Sequence, residues 1–159
     1  ILLKKIMFSS QEAASKDSLK GRLEVYPEGF YLYYVDETPI GYIGVLKKAI
    51  NVNLPDEMYE NASLHHPNGD YQLFFPVCIL PDYRHKGYAR KMVKEYVSLK
   101  ENGKGFVLTC KDHLIPFYES CGFRFKGVSK SVHGNAKWND MVRINERRKI
   151  VFLFFLVLF

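Results

Sequence analysis

Residues 77–97 read VCILPDYRHKGYARKMVKEYV. An apolar run up to Leu80 is followed by a basic turn, Arg84-His85-Lys86-Gly87-Tyr88-Ala89, and then by a segment in which Ala89, Met92, Val93, Tyr96 and Val97 recur at helical spacing. The run is predicted as a buried strand, and the recurring positions as the apolar face of a helix lying on a sheet. A helix that opens in such a turn presents free main-chain N–H groups and the positive end of its dipole, which together seat a pyrophosphate. Gly87 lets backbone come close to the phosphates, and Arg84, Lys86 and Arg90 add charge. Neither the three glycines of a dinucleotide fingerprint nor the Gly-Lys-Ser/Thr ending of a P-loop is present.

Working outward, residues 71–80 form the central strand and residues 86–102 the phosphate-binding helix, which Gly103 and Gly105 end. Residues 106–110 are predicted as the next strand and 114–121 as a short helix. Residues 123–131 and 138–144 are the last two strands. On the N-terminal side, residues 1–8 read as a strand. Residues 11–26 read as a helix broken near Ser15, with Ser15 or Asp17 as cap. Residues 30–35 and 40–46 are aromatic and β-branched runs separated by Asp36-Glu37-Thr38-Pro39, a hairpin signal. Residues 49–70 form a long loop with a helical turn at 56–61, and a loop of this length borders a functional cleft. The order of strands, helix, strand, helix and strands predicts an α/β layer fold with a mixed sheet. Pro76 inside the central strand removes a donor and belongs at an edge or a bulge, so it either opens the strand there or alters its local geometry.

The pattern Arg84-x-x-Gly87-x-Ala89 between strand and helix resembles the acetyl-CoA-binding motif of the GNAT superfamily of N-acyltransferases. Residues 113–123, HLIPFYESCGF, resemble the second half of the same core. Together with the opening QEAASKDSLKGR, the HHPNGD loop and the late VHGNAKWNDM, they are similar to arylalkylamine N-acetyltransferases of non-vertebrate type. The resemblance implies a single-domain GNAT-like three-layer fold over residues 1–146, with helices on both faces of a mixed sheet and a splayed central strand. It implies acetyl-CoA as cosubstrate, a small primary amine as acceptor, and no metal. It assigns Val77, Cys78 and Ile79 to the main-chain contacts of pantetheine and thioester, and Arg84, His85, Lys86, Gly87, Tyr88, Ala89 and Arg90 to the diphosphate.

Acetyl transfer needs the amine deprotonated, the carbonyl polarised and the leaving thiolate protonated. A primary amine with a pKa near the lysine value of about 10.4 arrives charged, so a base is required. By the resemblance, Tyr118 protonates the sulfur; otherwise it is a core-facing tyrosine with a wet hydroxyl. Vertebrate relatives carry two histidines on the central strand. Aligned on Arg84, Leu73 and Phe75 stand at those places, and neither can accept a proton. Glu12 is the substitute base, acting through water, or else a solvated glutamate in a first helical turn. His113 and His133 are weaker candidates. Trp138, with Thr109 and His133, occupies the place of the acceptor's aromatic contact, and core packing is the alternative for the only tryptophan. A polyamine or peptide acceptor, or a non-catalytic acyl-CoA-binding protein, are the other readings.

The 159 residues, 47% hydrophobic and 25% charged, suit one globular domain. The net charge of +6 suits an anionic ligand. Its scattered lysines lack the interleaved aromatics of a nucleic-acid surface, so no nucleic-acid partner is expected. Cys78, Cys110 and Cys121 are odd in number and carry no metal spacing, which points to free thiols in the cytoplasm. Adjacent His65 and His66 point apart and do not read as a metal pair. Monomer and dimer both remain open. Residues 147–159 are a basic then apolar tail whose ten apolar residues fall short of the about 20 a membrane span needs. The lysine-interrupted residues 1–7 do not read as a secretory leader.

Overall fold

The computed structural model describes residues 15–49 and 62–146. The predicted strand at 1–8, the helical residues 11–14, the turn at 56–61 and the tail at 147–159 lie outside the described residues.

Ser15 is the cap of α1 (Lys16–Val25): its hydroxyl accepts from the Ser18 N–H at 3.1 Å. β1 (Phe30–Val35) and β2 (Thr38–Lys48) form the expected hairpin. Val35 pairs with Thr38 across a turn in which Asp36 takes a left-handed φ of 52°. Then come β3 (Tyr71–Ile79), α2 (Tyr88–Leu99), β4 (Gly105–Cys110), α3 (Ile115–Ser120), β5 (Arg124–Val128) and β6 (Asn139–Ile144). α2 is shorter than the sequence suggests at both ends. Gly87 takes a φ of 84°, which no helical residue adopts, so Arg84, His85 and Lys86 stay in the turn. β5 also stops at Val128, well before residue 131.

The strands make one six-stranded sheet in the order β1-β2-β3-β4-β6-β5, in which β3 and β4 alone run parallel, joined through α2. Side-chain alternation gives the sheet two faces. On one, Val45, Phe74, Phe106, Leu108 and Met141 pack against Met92, Val93, Tyr96 and Val97 of α2 and Tyr118 of α3. On the other, Leu46, Leu73, Val107 and Val142 form a smaller cluster. There Tyr26 joins it, and Arg22 of α1 lays its guanidinium 4.3 Å from the centre of the Phe75 ring. Helices therefore cover both faces, as a three-layer fold requires.

Phe74 is the hub of the larger core, its ring 5.4 Å from Tyr96, 5.7 Å from Phe106 and 5.8 Å from Phe123 between centroids. A buried polar chain registers α2 on the sheet. The Tyr96 hydroxyl donates to Gln72 Oε1 at 2.7 Å, and Gln72 Nε2 donates to the Lys100 carbonyl at 2.8 Å. Gln72 thus satisfies a carbonyl just past the helix end and ties it to the start of β3, leaving the N-terminus of α2 at the other end of that strand. Replacing Phe74 with Ala is expected to cost about 3–5 kcal/mol of stability in urea unfolding; an unchanged midpoint would show that the ring cluster is not the centre of the core.

Candidate active site between the third and fourth strands

β3 and β4 are paired only at Tyr71 with Gly105, Gln72 with Phe106 and Leu73 with Val107. Beyond Leu73 no ladder joins them, although β3 runs on to Ile79 and β4 stays paired with β6 as far as Cys110 and Asn139. The split has a local cause. Against β2, Val77 pairs with Ile43 but Phe74 pairs with Val45, so β3 carries one residue more than β2 at this level. Pro76 lies within that bulge, where a residue without an N–H costs no ladder bond. The opening anticipated at Pro76 is there.

The opening leads into a cleft of about 440 Å³. Val77 and Ile79 supply its β3 wall, the turn and the start of α2 supply Arg84, His85, Gly87, Tyr88, Ala89 and Arg90, and Leu114, Phe117 and Tyr118 close the α3 side. Tyr83 lines it too. Of the residues assigned from sequence to cosubstrate, Cys78 and Lys86 do not line it with their side chains. Cys78 is opposite Tyr42 on the far face and shares a hydrogen bond with its hydroxyl. Lys86 holds its ammonium 5.9 Å from the Tyr83 ring.

The turn is held open by its own main chain. Tyr83 N–H donates to the Leu80 carbonyl at 2.9 Å and Arg84 N–H to Pro81 at 3.1 Å. The Arg84 side chain folds back, its Nε donating to the Ile79 carbonyl at 3.0 Å, so this arginine braces the turn against the end of β3. The next main-chain donor is Lys91, to Gly87 at 3.2 Å. Among the described residues, no main-chain hydrogen bond is donated by the amides of residues 85–90. His85 at φ 58° and Gly87 at φ 84° bend the chain so that these amides cluster at the positive end of α2, an arrangement that binds anions.

Tyr118 faces this turn from α3. Its ring is 7% exposed and stands edge-on to Phe117 at 4.9 Å and Phe123 at 5.8 Å. Burial, with smaller contributions from the neighbouring thiols of Cys110, Cys121 and Cys78, pushes its hydroxyl well above the usual tyrosine range. The group keeps its proton throughout the neutral range. The same burial pushes the Cys110 thiol up to about 11, which makes it a packing residue and a poor nucleophile.

Thr109 near the end of β4, and His133 and Trp138 in the segment before β6, are outside the lining of this cleft. Thr109 pairs with Asp140 and sits between Leu108 and Cys110 of the larger core, which places it on the α1 face. The Trp138 indole donates to the His133 carbonyl at 2.8 Å and lies 6.3 Å from the His133 ring. Lys111 covers one side of the indole at 4.6 Å. Next to it Asn139 donates to the Cys110 carbonyl at 3.2 Å and to Asp112 at 2.7 Å, and Lys137 pairs with Asp112 at 3.3 Å. These bonds hold the Asp112 carboxyl below its usual range.

Glu12 lies outside the described residues. His113 is exposed on the short turn before α3. His65 has a structural partner: its Nδ1 accepts from the Lys47 N–H at 3.1 Å while the ring stacks on Tyr26 at 4.5 Å. Among the described residues, no three His, Cys, Asp or Glu side chains gather as a metal site, and no helix is long and apolar enough to cross a membrane. Sequence reasoning missed Tyr83, Leu114 and Phe117. Leu114 and Phe117 flank Tyr118 at i−4 and i−1, and Tyr83 directly precedes Arg84, so adjacency to the motif residues was the available signal.

No curated protein matches the sequence. Among solved structures, the GphF GNAT-like decarboxylase in complex with isobutyryl-CoA superimposes with a TM-score of 0.75 at 14% identity, over 91% of this chain and 92% of that one. Ard1 from Thermoplasma volcanium gives 0.64 at 16% identity, over 91% and 92%. The ribosomal-protein-S18-alanine N-acetyltransferase from Escherichia coli gives 0.63 at 12% identity, over 95% and 88%. At these identities the likeness is one of fold. Residues 27–125, more than half of the chain, match the family profile of the Acetyltransferase (GNAT) domain. Because that match runs from before β1 through the turn and α3, the chain belongs to the GNAT family of acetyltransferases.

Proposed function

We propose that this acetyltransferase moves acetyl from acetyl-CoA to a small primary amine, with arylalkylamines as the acceptor class, by direct attack in the opening between β3 and β4. The observation that carries this reading is the meeting of two features in one cleft: the undonated amides of residues 85–90 and the buried Tyr118. The diphosphate sits on those amides, with Arg90 beside it and Arg84 bracing the turn. The pantetheine arm then runs along the unladdered edge of β3 at Val77, Cys78 and Ile79. GphF, the fold relative solved with isobutyryl-CoA, is consistent with a CoA thioester there.

The chemistry follows from the residues around that thioester. The amine nitrogen attacks the carbonyl carbon, the carbonyl oxygen takes the negative charge, and a main-chain N–H of β3 stabilises it. As the C–S bond breaks, the sulfur needs a proton. Tyr118 holds one at neutral pH, and the developing thiolate is its acceptor. Glu12 is the proposed base, relaying the ammonium proton through water. An aryl ring stacks on the face of Trp138 opposite Lys111, with Thr109 and His133 beside it, for roughly 0.5–1.5 kcal/mol beyond area burial. Lys111 and Lys137 stand there against Asp112, a balance that does not favour a polycation.

Thiol release from acetyl-CoA tests the acceptor against tryptamine, phenylethylamine, tyramine, spermidine and a lysine peptide. Preference for the aryl amines is expected. Preference for spermidine or the peptide would replace the acceptor, and binding without turnover on every amine would contradict catalysis. Tyr118→Phe is expected to lower kcat about 10²- to 10⁴-fold with acetyl-CoA affinity retained. Since Tyr118 keeps its proton, wild-type kcat should show no alkaline decline below about pH 10. An undiminished rate in Tyr118→Phe would remove it as the acid. Gly87→Val forces a β-branched residue to φ 84° and points a side chain into open space over the turn. Its acetyl-CoA affinity should fall about 100-fold, or about 2.8 kcal/mol in calorimetry. Gly87→Asn, which tolerates the left-handed region, should lose less.

A further inference from the structure

We propose that Gly44 and Pro76 form a wedge that sets the distance of β3 from β4, making Gly44 a positioning residue for the CoA thioester although it lies outside the cleft. The inference rests on the reading that the opening holds acetyl-CoA. Ile43 pairs with Val77 and Val45 with Phe74, so Gly44 alone stands opposite Phe75 and Pro76. A Cβ at position 44 would lie 2.8 Å from Pro76 Cδ and 3.0 Å from Pro76 Cγ, with Phe30 Cε1 at 3.7 Å. The backbone of Gly44 is not left-handed, so any residue could adopt its conformation. Space, and not φ, demands glycine here.

The neighbour is a poor one to push. A flexible side chain would swing away at small cost, whereas the pyrrolidine ring is closed onto its own main chain and moves only if that chain moves. The residue after Pro76 is Val77, whose position is part of the cleft wall. Pro76 also has no N–H, so the bulge leaves no unpaired donor at this position. The ring prevents the bulge from slipping out, and the empty space at Gly44 lets it stay in. Any side chain at position 44 is therefore transmitted to the main chain at residues 77–79.

The test is a double-mutant cycle of Gly44→Ala and Pro76→Ala, read by acetyl-CoA calorimetry and by the amide NMR shifts of Val77, Cys78 and Ile79 in the ligand-free protein. Leu46→Val, a buried change on β2 facing the other core cluster, is the control for lost stability alone. Gly44→Ala is expected to weaken acetyl-CoA binding about tenfold or more and to shift the three amides, while Leu46→Val moves neither. On the Pro76→Ala background, which has no ring to strike, adding Gly44→Ala should change affinity less than about twofold. Wild-type amide shifts in Gly44→Ala, or an equal effect of Gly44→Ala on both backgrounds, would overturn the wedge. If Gly44→Ala does not fold, Pro76→Ala decides alone: shifted amides support the wedge and unchanged ones refute it. Wild-type protein that binds no acetyl-CoA would refute the cosubstrate reading, and the ligand-free shifts would still decide the wedge.

Discussion

One surplus residue in β3 is the constraint on which the site depends. Because Phe74 and Val77 pair with β2 residues only two apart, β3 bends where Pro76 sits, and its ladder to β4 ends at Leu73. The cost is contained by its surroundings: Phe74 is locked among three aromatic rings just before the bulge, and β4 stays fully paired to β6 on its other side. The sheet can therefore part at one seam without losing its core.

The second requirement of the proposed function is an anion seat at the end of that seam. α2 is registered from its far end by the Tyr96, Gln72 and Lys100 chain, and its N-terminus is reached through a turn braced by Arg84 on Ile79. Polar atoms are spent on holding the frame, and the amides of residues 85–90, which donate no main-chain bond, are the ones assigned to the diphosphate in the proposed function. Tyr118 is the counterpart across the cleft. Burial keeps its hydroxyl neutral, which is what the proposed role as proton donor to the leaving sulfur requires, and none of the described lining residues of the cleft is acidic.

What could be read from the sequence was what local chemistry imposes. The strand, turn and helix of residues 77–97, the hairpin at Asp36, the Ser15 cap and the break at Pro76 each depend on a few neighbouring residues, and each is found. Helix ends were less legible: a left-handed Gly87 moves the start of α2 beyond Lys86, and only the folded turn reveals it. Roles created by tertiary register were not legible at all. That Arg84 spends its Nε on a carbonyl, that Lys111 covers the Trp138 ring, and that Phe117 and Tyr83 line the cleft all follow from which strands become neighbours. The same limit explains why Trp138 could be matched to an acceptor position while its distance from the cleft lining could not be foreseen.

The most direct measurement of the central claim is an amide NMR titration of the protein with CoA. The account predicts that the largest shifts fall on Val77 to Ile79 along the open edge of β3 and on His85 to Arg90 in the turn, with Tyr71 to Leu73, still laddered to β4, nearly unmoved. Shifts concentrated elsewhere, on β5 and β6 or on the β1 edge, with the turn amides silent, would contradict it.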